Sequence, residues 1–127
     1  MIRVSQHSER TDTGRQRQAN EDSMLARAPL FVVADGMGGA QAGEVASMTA
    51  IQAFNEGVPD GQPEEALQES IGLANRTIHD QAHSDSELSG MGTTITAAAV
   101  DSQREEVVIG HVGDSRAYRL RDGIIQR

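Results

Sequence analysis

The sequence predicts an α+β domain with antiparallel sheets, and three observations carry that expectation. Strand-like runs open the chain, two helical stretches occupy its middle, and closely spaced strand-like runs fill the remainder. Strands and helices are therefore grouped rather than alternating, the order of antiparallel sheets and not of parallel βαβ units. Two helices adjacent in sequence cover one sheet face, so the other face needs a second sheet or stays exposed.

The elements follow in order. Ile2–Glu9 alternates loosely between apolar and polar residues and reads as a first strand. Thr11–Gly14 is a polar turn, and Ser23–Ala28 a second short strand. Leu30–Ala34 is a compact run of buried-strand type, broken by the glycines of Asp35-Gly36-Met37-Gly38-Gly39. Gly43–Phe54 reads as helix, with Val45, Met48 and Ile51 at helical spacing and Ala46, Ala50 and Ala53 beside them. Gly57–Pro63 is linker-like. Pro63 followed by Glu64 and Glu65 marks a helix start, because proline fits the first turn and acids favour the positive end of the helix dipole. The helix that follows places Leu67, Ile71, Ala74 and Ile78 on one stripe. After a polar loop over Ser84–Gly90, strands are predicted at Thr93–Val100, Val107–Val112 and Arg116–Leu120. Asp101-Ser102-Gln103 suits a hairpin turn, and Asp122-Gly123 is a strong two-residue hairpin signal leading into Ile124 and Ile125.

Composition limits the chemistry. The 127 residues allow one domain, and 37% hydrophobic content is enough for a core. With aromatics at 2%, that core rests on Val, Ile, Leu, Ala and Met. The absence of cysteine excludes disulfides, thiolate metal sites and cysteine nucleophiles. A catalytic metal would then be held by oxygen or histidine, and oxygen ligands point to Mg²⁺ or Mn²⁺. A net charge of −8 opposes nucleic-acid binding. The polar N-terminus and the lack of a long apolar run predict a cytoplasmic protein with no membrane contact.

Four segments carry the candidate chemistry. Arg17-Gln18-Ala19-Asn20-Glu21-Asp22 sets an arginine before two adjacent carboxylates. On a strand, Glu21 and Asp22 point to opposite faces, so one of them aims at any given site unless the backbone bends. Phe31–Gly39 delivers Asp35 to the C-terminal end of a buried strand, where Gly36 lets the backbone approach a ligand without an obstructing Cβ. A phosphate-binding loop is excluded there, since the Lys-Ser/Thr of the Walker pattern is missing and Gly36, Gly38, Gly39 and Gly43 fail the dinucleotide-binding spacing. Gly90-Met91-Gly92-Thr93-Thr94 supplies small residues before a strand, and Val112-Gly113-Asp114-Ser115-Arg116-Ala117-Tyr118 places a second aspartate and an arginine between strands. Each segment alone also reads as a polar loop, a strand-to-helix turn or a hairpin. Ser115 and Arg116 are read as structural, His111 as a structural residue of a buried strand, and His7, His79 and His83 as surface residues.

Together and in this order, the segments resemble the metal-dependent protein serine/threonine phosphatases of the PP2C type (PPM family), most closely the bacterial branch. Ser47 completes the Gly-Glu-x-Ala-Ser element that follows the glycines, and the resemblance spans Arg17 to Tyr118. It implies a four-layer αββα sandwich with a two-metal centre of Mn²⁺ or Mg²⁺ at one edge. Asp35 would bridge both ions, the Gly36 carbonyl would bind one, and Glu21 and Asp22 would serve that ion directly or through water. Asp114 matches a third, weaker ion position, and Arg17 would grip the substrate phosphate bidentately. The implied reaction is hydrolysis of phosphoserine and phosphothreonine in proteins by a metal-bridged hydroxide, opposing a serine/threonine kinase. Some members carry histidine as a general acid where this chain has Met37, which cannot donate a proton; the bacterial branch commonly has methionine there. The family's later Asp-Gly and Asp-Asn elements would fall beyond Arg127. Residues 1–127 are therefore expected to be the N-terminal portion of one phosphatase domain, impaired alone. The alternative is a non-catalytic module that keeps the half-fold and binds a metal or a partner.

Overall fold

The computed structural model describes residues 1–55 and 62–127. Strand β1 (Asp22–Arg27) turns back through Ala28-Pro29 into β2 (Leu30–Met37). Helices α1 (Ala40–Gln52) and α2 (Pro63–Ser84) follow. A single 3₁₀ turn at Ser86–Leu88 leads to β3 (Gly92–Thr93), β4 (Ile95–Asp101) and β5 (Glu106–Val112). The hairpin β6 (Arg119–Arg121) and β7 (Ile124–Gln126) ends the chain. The main sheet runs β1-β2-β4-β5 with every neighbour antiparallel, and β3 extends it beside the end of β2. The predicted α+β class with antiparallel sheets is what forms.

Alternation decides which side is core. Leu30, Val32 and Ala34 of β2 and Ile95, Ala97 and Ala99 of β4 are buried beneath the helices. Their neighbours Phe31 and Val33, and Thr96 and Ala98, face the other way, as a period of two requires. Both α-helices among the described residues pack on the first side. Across the opposite side, Val33, Val107 and Ile109 remain 49%, 48% and 51% exposed. Residues Ser8–Arg10 and Arg116–Tyr118 border the middle of that side, and the His7 ring meets the Phe31 ring edge-on at 5.5 Å. No helix among the described residues is long and apolar enough to cross a membrane.

Several expectations need correction. Ile2–Glu9 forms no strand: Ile2 and Val4 are half-buried, but the segment has no paired neighbour. Strand β2 does not stop at Asp35; it continues through Gly36 and Met37 because β3 pairs with both. Helix α1 starts at Ala40, and its buried stripe is Ala42, Ala46, Ser47 and Ala50, while Met48 is 49% exposed. The cause is close approach: a Cβ on Gly36 would lie 1.9 Å from the Gly43 carbonyl oxygen, so the helix start sits too near the sheet for large side chains. Gly36 thus makes room for the helix. The aliphatic core also includes an aromatic, fully buried Phe54. The Arg116–Leu120 strand shrinks to Arg119–Arg121. Of the linker-like Gly57–Pro63, residues 57–61 lie outside the described residues.

Other expectations hold. Pro63 opens α2 with Glu64 and Glu65 in its first turn, and Leu67, Ala74 and Ile78 are buried. Arg104 of the β4–β5 hairpin holds the Glu64 carboxylate with two 2.9 Å hydrogen bonds, which lowers the pKa of Glu64. The Asp122-Gly123 turn has φ of 52° and 76°, the left-handed pair that a two-residue hairpin needs.

Candidate metal centre

The two-residue connection between β1 and β2 fixes their register, and that register sets Asp22 opposite Asp35. Both lie on the face away from the helices. Two carboxyl groups held across an antiparallel pair repel when both are charged. The consequence is visible at Asp22, whose pKa is raised: desolvation of its carboxyl contributes most, then the negative charge of Asp35 and a hydrogen bond with it. The residue is exposed as a whole, so this desolvation is local to the carboxyl end beside Asp35. Glu21 adds to the rise, and Arg17 opposes it. Arg17 is exposed and near enough for its charge to act on Asp22, without forming an ion pair among the described residues.

Glu21 behaves as strand alternation predicts. Its backbone carbonyl accepts the Gly36 N–H at 3.1 Å, and its carboxylate lies over Gly43, where a Cβ would come within 2.4 Å of Oε2. Asp22 and Asp35 are thus brought together, while Glu21 sits beside the first turn of α1. Ser47 is fully buried and donates to the Glu44 carbonyl, which leaves Ser23 to donate to it across 2.9 Å. This bond ties α1 to the residue after Asp22.

Asp35 is clamped from its other side by Thr94. The Thr94 N–H donates to the Asp35 carbonyl at 2.9 Å, and the Asp35 N–H donates to Thr94 Oγ1 at 3.2 Å. The same hydroxyl lies 2.7 Å from Ser115 Oγ. Gly113, at φ 106°, packs so closely on Thr94 that a Cβ would meet it at 2.7 Å. Asp114 sits exposed on this anchored loop, and its neighbour Ser115 is linked to the Asp35 backbone through Thr94. The Gly-Thr-Thr element marks Thr94 in the sequence without assigning it a role, and its role is this clamp on the Asp35 backbone.

His111 requires a correction. It is exposed, not buried, because β5 presents it on the open face. Its role is nonetheless structural. Nε2 lies 2.9 Å from the Gly113 carbonyl, so it donates there, and Nδ1 at 2.9 Å then accepts from the Thr96 hydroxyl.

The donor chemistry fits a hard divalent cation. Two facing carboxylates whose negative charges oppose each other are relieved when a cation binds between them. The number of donors is smaller than a closed cage needs: among the described residues no group of three or more His, Cys, Asp or Glu is placed to hold a metal ion.

Residues 11–127 match the family described as Protein phosphatase 2C. The serine/threonine protein phosphatase PstP of Mycobacterium tuberculosis is 42% identical over 123 residues, covering 94% of this chain and 24% of PstP. The serine/threonine phosphatase stp of Listeria innocua is 38% identical over 134 residues, covering 95% of this chain and 52% of stp. A crystal structure of the PstP catalytic domain in complex with two manganese ions superposes with a TM-score of 0.84 at 41% identity, covering 91% of this chain and 51% of that one. The chain therefore spans between about a quarter and about half the length of these relatives.

Proposed function

The chain belongs to the protein phosphatase 2C family, and on that premise we propose that it supplies the metal-binding and phosphate-binding part of a domain that hydrolyses phosphoserine and phosphothreonine in proteins. The observation that carries the proposal is the Asp22–Asp35 pair, set opposite each other in register with Arg17 close enough to oppose the raised pKa of Asp22. The manganese complex of the PstP catalytic domain supports the choice of cation.

Asp35 is proposed to bridge two divalent ions, Mn²⁺ or Mg²⁺, with Asp22, Glu21 and the Gly36 carbonyl serving one of them. Asp114 is proposed to hold a third. Bound cations supply Lewis acidity that activates water and neutralises phosphate charge. Arg17 orients the phosphate by paired hydrogen bonds, which fit a guanidinium better than an ammonium. Thr94 holds the Asp35 backbone so that the carboxylate keeps its direction. The match to about half the length of stp supports residues 1–127 as the N-terminal portion of one domain. On this reading the segment alone turns over poorly, because magnesium demands near-ideal octahedral ligation.

The finer reading is a cytoplasmic signalling enzyme that opposes a serine/threonine kinase, with neither nucleic acid nor membrane as a partner. The net charge of −8 and the absence of cysteine support it. The test is phosphate release from a phosphothreonine peptide by a polypeptide carrying residues 1–127 joined to the rest of the domain. Mn²⁺-dependent, chelator-sensitive release that disappears in Asp35→Ala is expected, with Arg17→Ala raising KM. Metal binding without any turnover would instead favour a non-catalytic module.

A further inference from the structure

Helix α2 carries two imidazoles one turn apart near its C-terminal end, His79 and His83. Residues four apart on a helix are neighbours on one face. Here the ring centroids are 4.1 Å apart with 30° between their planes. Both side chains line an open groove of about 680 Å³ between α2 and the Gly90–Thr93 segment. Neither Asp22 nor Asp35 lines that groove, so it is separate from the carboxylate centre.

The proton on the His83 ring can be placed from its neighbour. His83 Nδ1 lies 2.9 Å from the backbone oxygen of His79, an acceptor only, so Nδ1 carries the proton and donates. That leaves the lone pair on His83 Nε2. His79 Nδ1 lies 3.9 Å from Asp80 Oδ1, beyond hydrogen-bond distance, so the side of that ring turned toward the carboxylate is Nδ1 and not Nε2. Among the described residues neither Nε2 has a hydrogen-bond partner. The His83 ring, with Nδ1–H held by an oxygen and Nε2 open, is in the ordinary state of a metal-ligating histidine. His79 and His83, on adjacent turns, have the spacing by which a helix chelates zinc.

We propose that His79 and His83 form a second metal site, which takes one divalent transition ion of the zinc, nickel and copper class. Imidazole nitrogen selects these ions, whereas Mg²⁺ prefers oxygen ligands. Water fills the remaining coordination positions. Bridging the two rings ties the last turns of α2 together, so binding stabilises the helix end that borders Met91 and Gly92.

The experiment is a calorimetric titration of Ni²⁺ into the full chain with Mg²⁺ in large excess, so that oxygen ligands are already occupied. Wild type is expected to bind one equivalent. His79→Gln and His83→Gln, both at exposed positions and both keeping a good helix former, are each expected to weaken binding by about tenfold or more, because one of two linked ligands is lost. Their circular dichroism should match wild type, and His7→Gln and His111→Gln should bind as wild type does. Electron paramagnetic resonance of the Cu²⁺ complex should show two coordinating nitrogens in wild type and one in each α2 variant. Absence of Ni²⁺ binding by wild type, or a change of less than about twofold in either α2 variant, overturns the proposal.

Discussion

The two faces of the main sheet differ in what holds them. On one, Leu30, Val32, Ala34, Ala97 and Ala99 are sealed beneath α1 and α2. On the other, Val33 and Ile109 stay about half exposed, while Asp22 and Asp35 stand opposite each other at one end. The covered face derives its order from burial, and burial writes itself into sequence as alternation and helical stripes. The open face derives its order from register, hydrogen bonds and charge, which depend on how strands align and leave a weaker mark on sequence. Stability is expected to come mainly from the first face and chemistry from the second, and substitutions on each can break that division.

The largest effect expected is on the covered face. Leu30→Ala removes a side chain that is 2% exposed and should cost about 2–5 kcal/mol in denaturant unfolding. Val33→Ala, three residues along the same strand but on the open face, should cost no more than about 0.5 kcal/mol. Similar losses at the two positions would break the comparison.

Thr94→Val should come next. It keeps the shape of the side chain but removes the hydroxyl that accepts from the Asp35 N–H and meets Ser115 Oγ. A loss of about 1–2 kcal/mol in stability is expected, since a partner is left unpaired. Mn²⁺ affinity should fall as well, because the Asp35 backbone and the loop carrying Asp114 lose their common anchor. Unchanged affinity with reduced stability would make Thr94 purely structural.

Asp22→Asn should give the smallest change, and in the opposite direction. The raised pKa of Asp22 means that the folded chain binds this proton more tightly than the unfolded chain does. In metal-free protein that contribution is present at low pH and is lost as pH rises from the ordinary carboxylate range through the raised value. Asparagine removes the repulsion with Asp35, so a modest rise in melting temperature is expected at neutral pH without metal. The gain should vanish in acid, where Asp22 is protonated, and reverse when Mn²⁺ is present. A melting temperature lowered at neutral pH in the absence of metal would show that the two carboxylates are not in conflict.

Legibility in the sequence follows the same division. The helix over Pro63–Ser84 and the hairpin at Asp122-Gly123 were readable because each rests on local rules: a first-turn proline, a stripe, and a pair of turn residues. The strand expected at Ile2–Glu9 failed because a strand needs a neighbour, and alternation alone does not supply one. On α1 the alanines Ala46 and Ala50 are fully buried, Val45 and Ile51 pack at the core's edge and Met48 turns outward, because the contact between Gly36 and Gly43 is tertiary and favours small residues at the interface it creates. For the site, Arg17, Glu21, Asp22, Asp35, Gly36 and Asp114 were named as candidates from the ordered motifs. That Asp22 rather than Glu21 faces Asp35 followed from the register set by Ala28-Pro29. Thr94 stands in a segment that the sequence marks as a candidate, but its two hydrogen bonds to Asp35 are made across the sheet end and depend on register rather than on residue type.

The measurement closest to the centre of this account is a calorimetric titration of Mn²⁺ into metal-free wild type and Asp35→Ala under identical conditions. If Asp35 is the ligand on which the centre is built, wild type gives measurable heat and the variant loses most or all of it, while its melting temperature without metal stays near or above that of wild type. Equal Mn²⁺ heats in the two proteins would contradict the assignment and remove the Asp22–Asp35 pair as the metal centre.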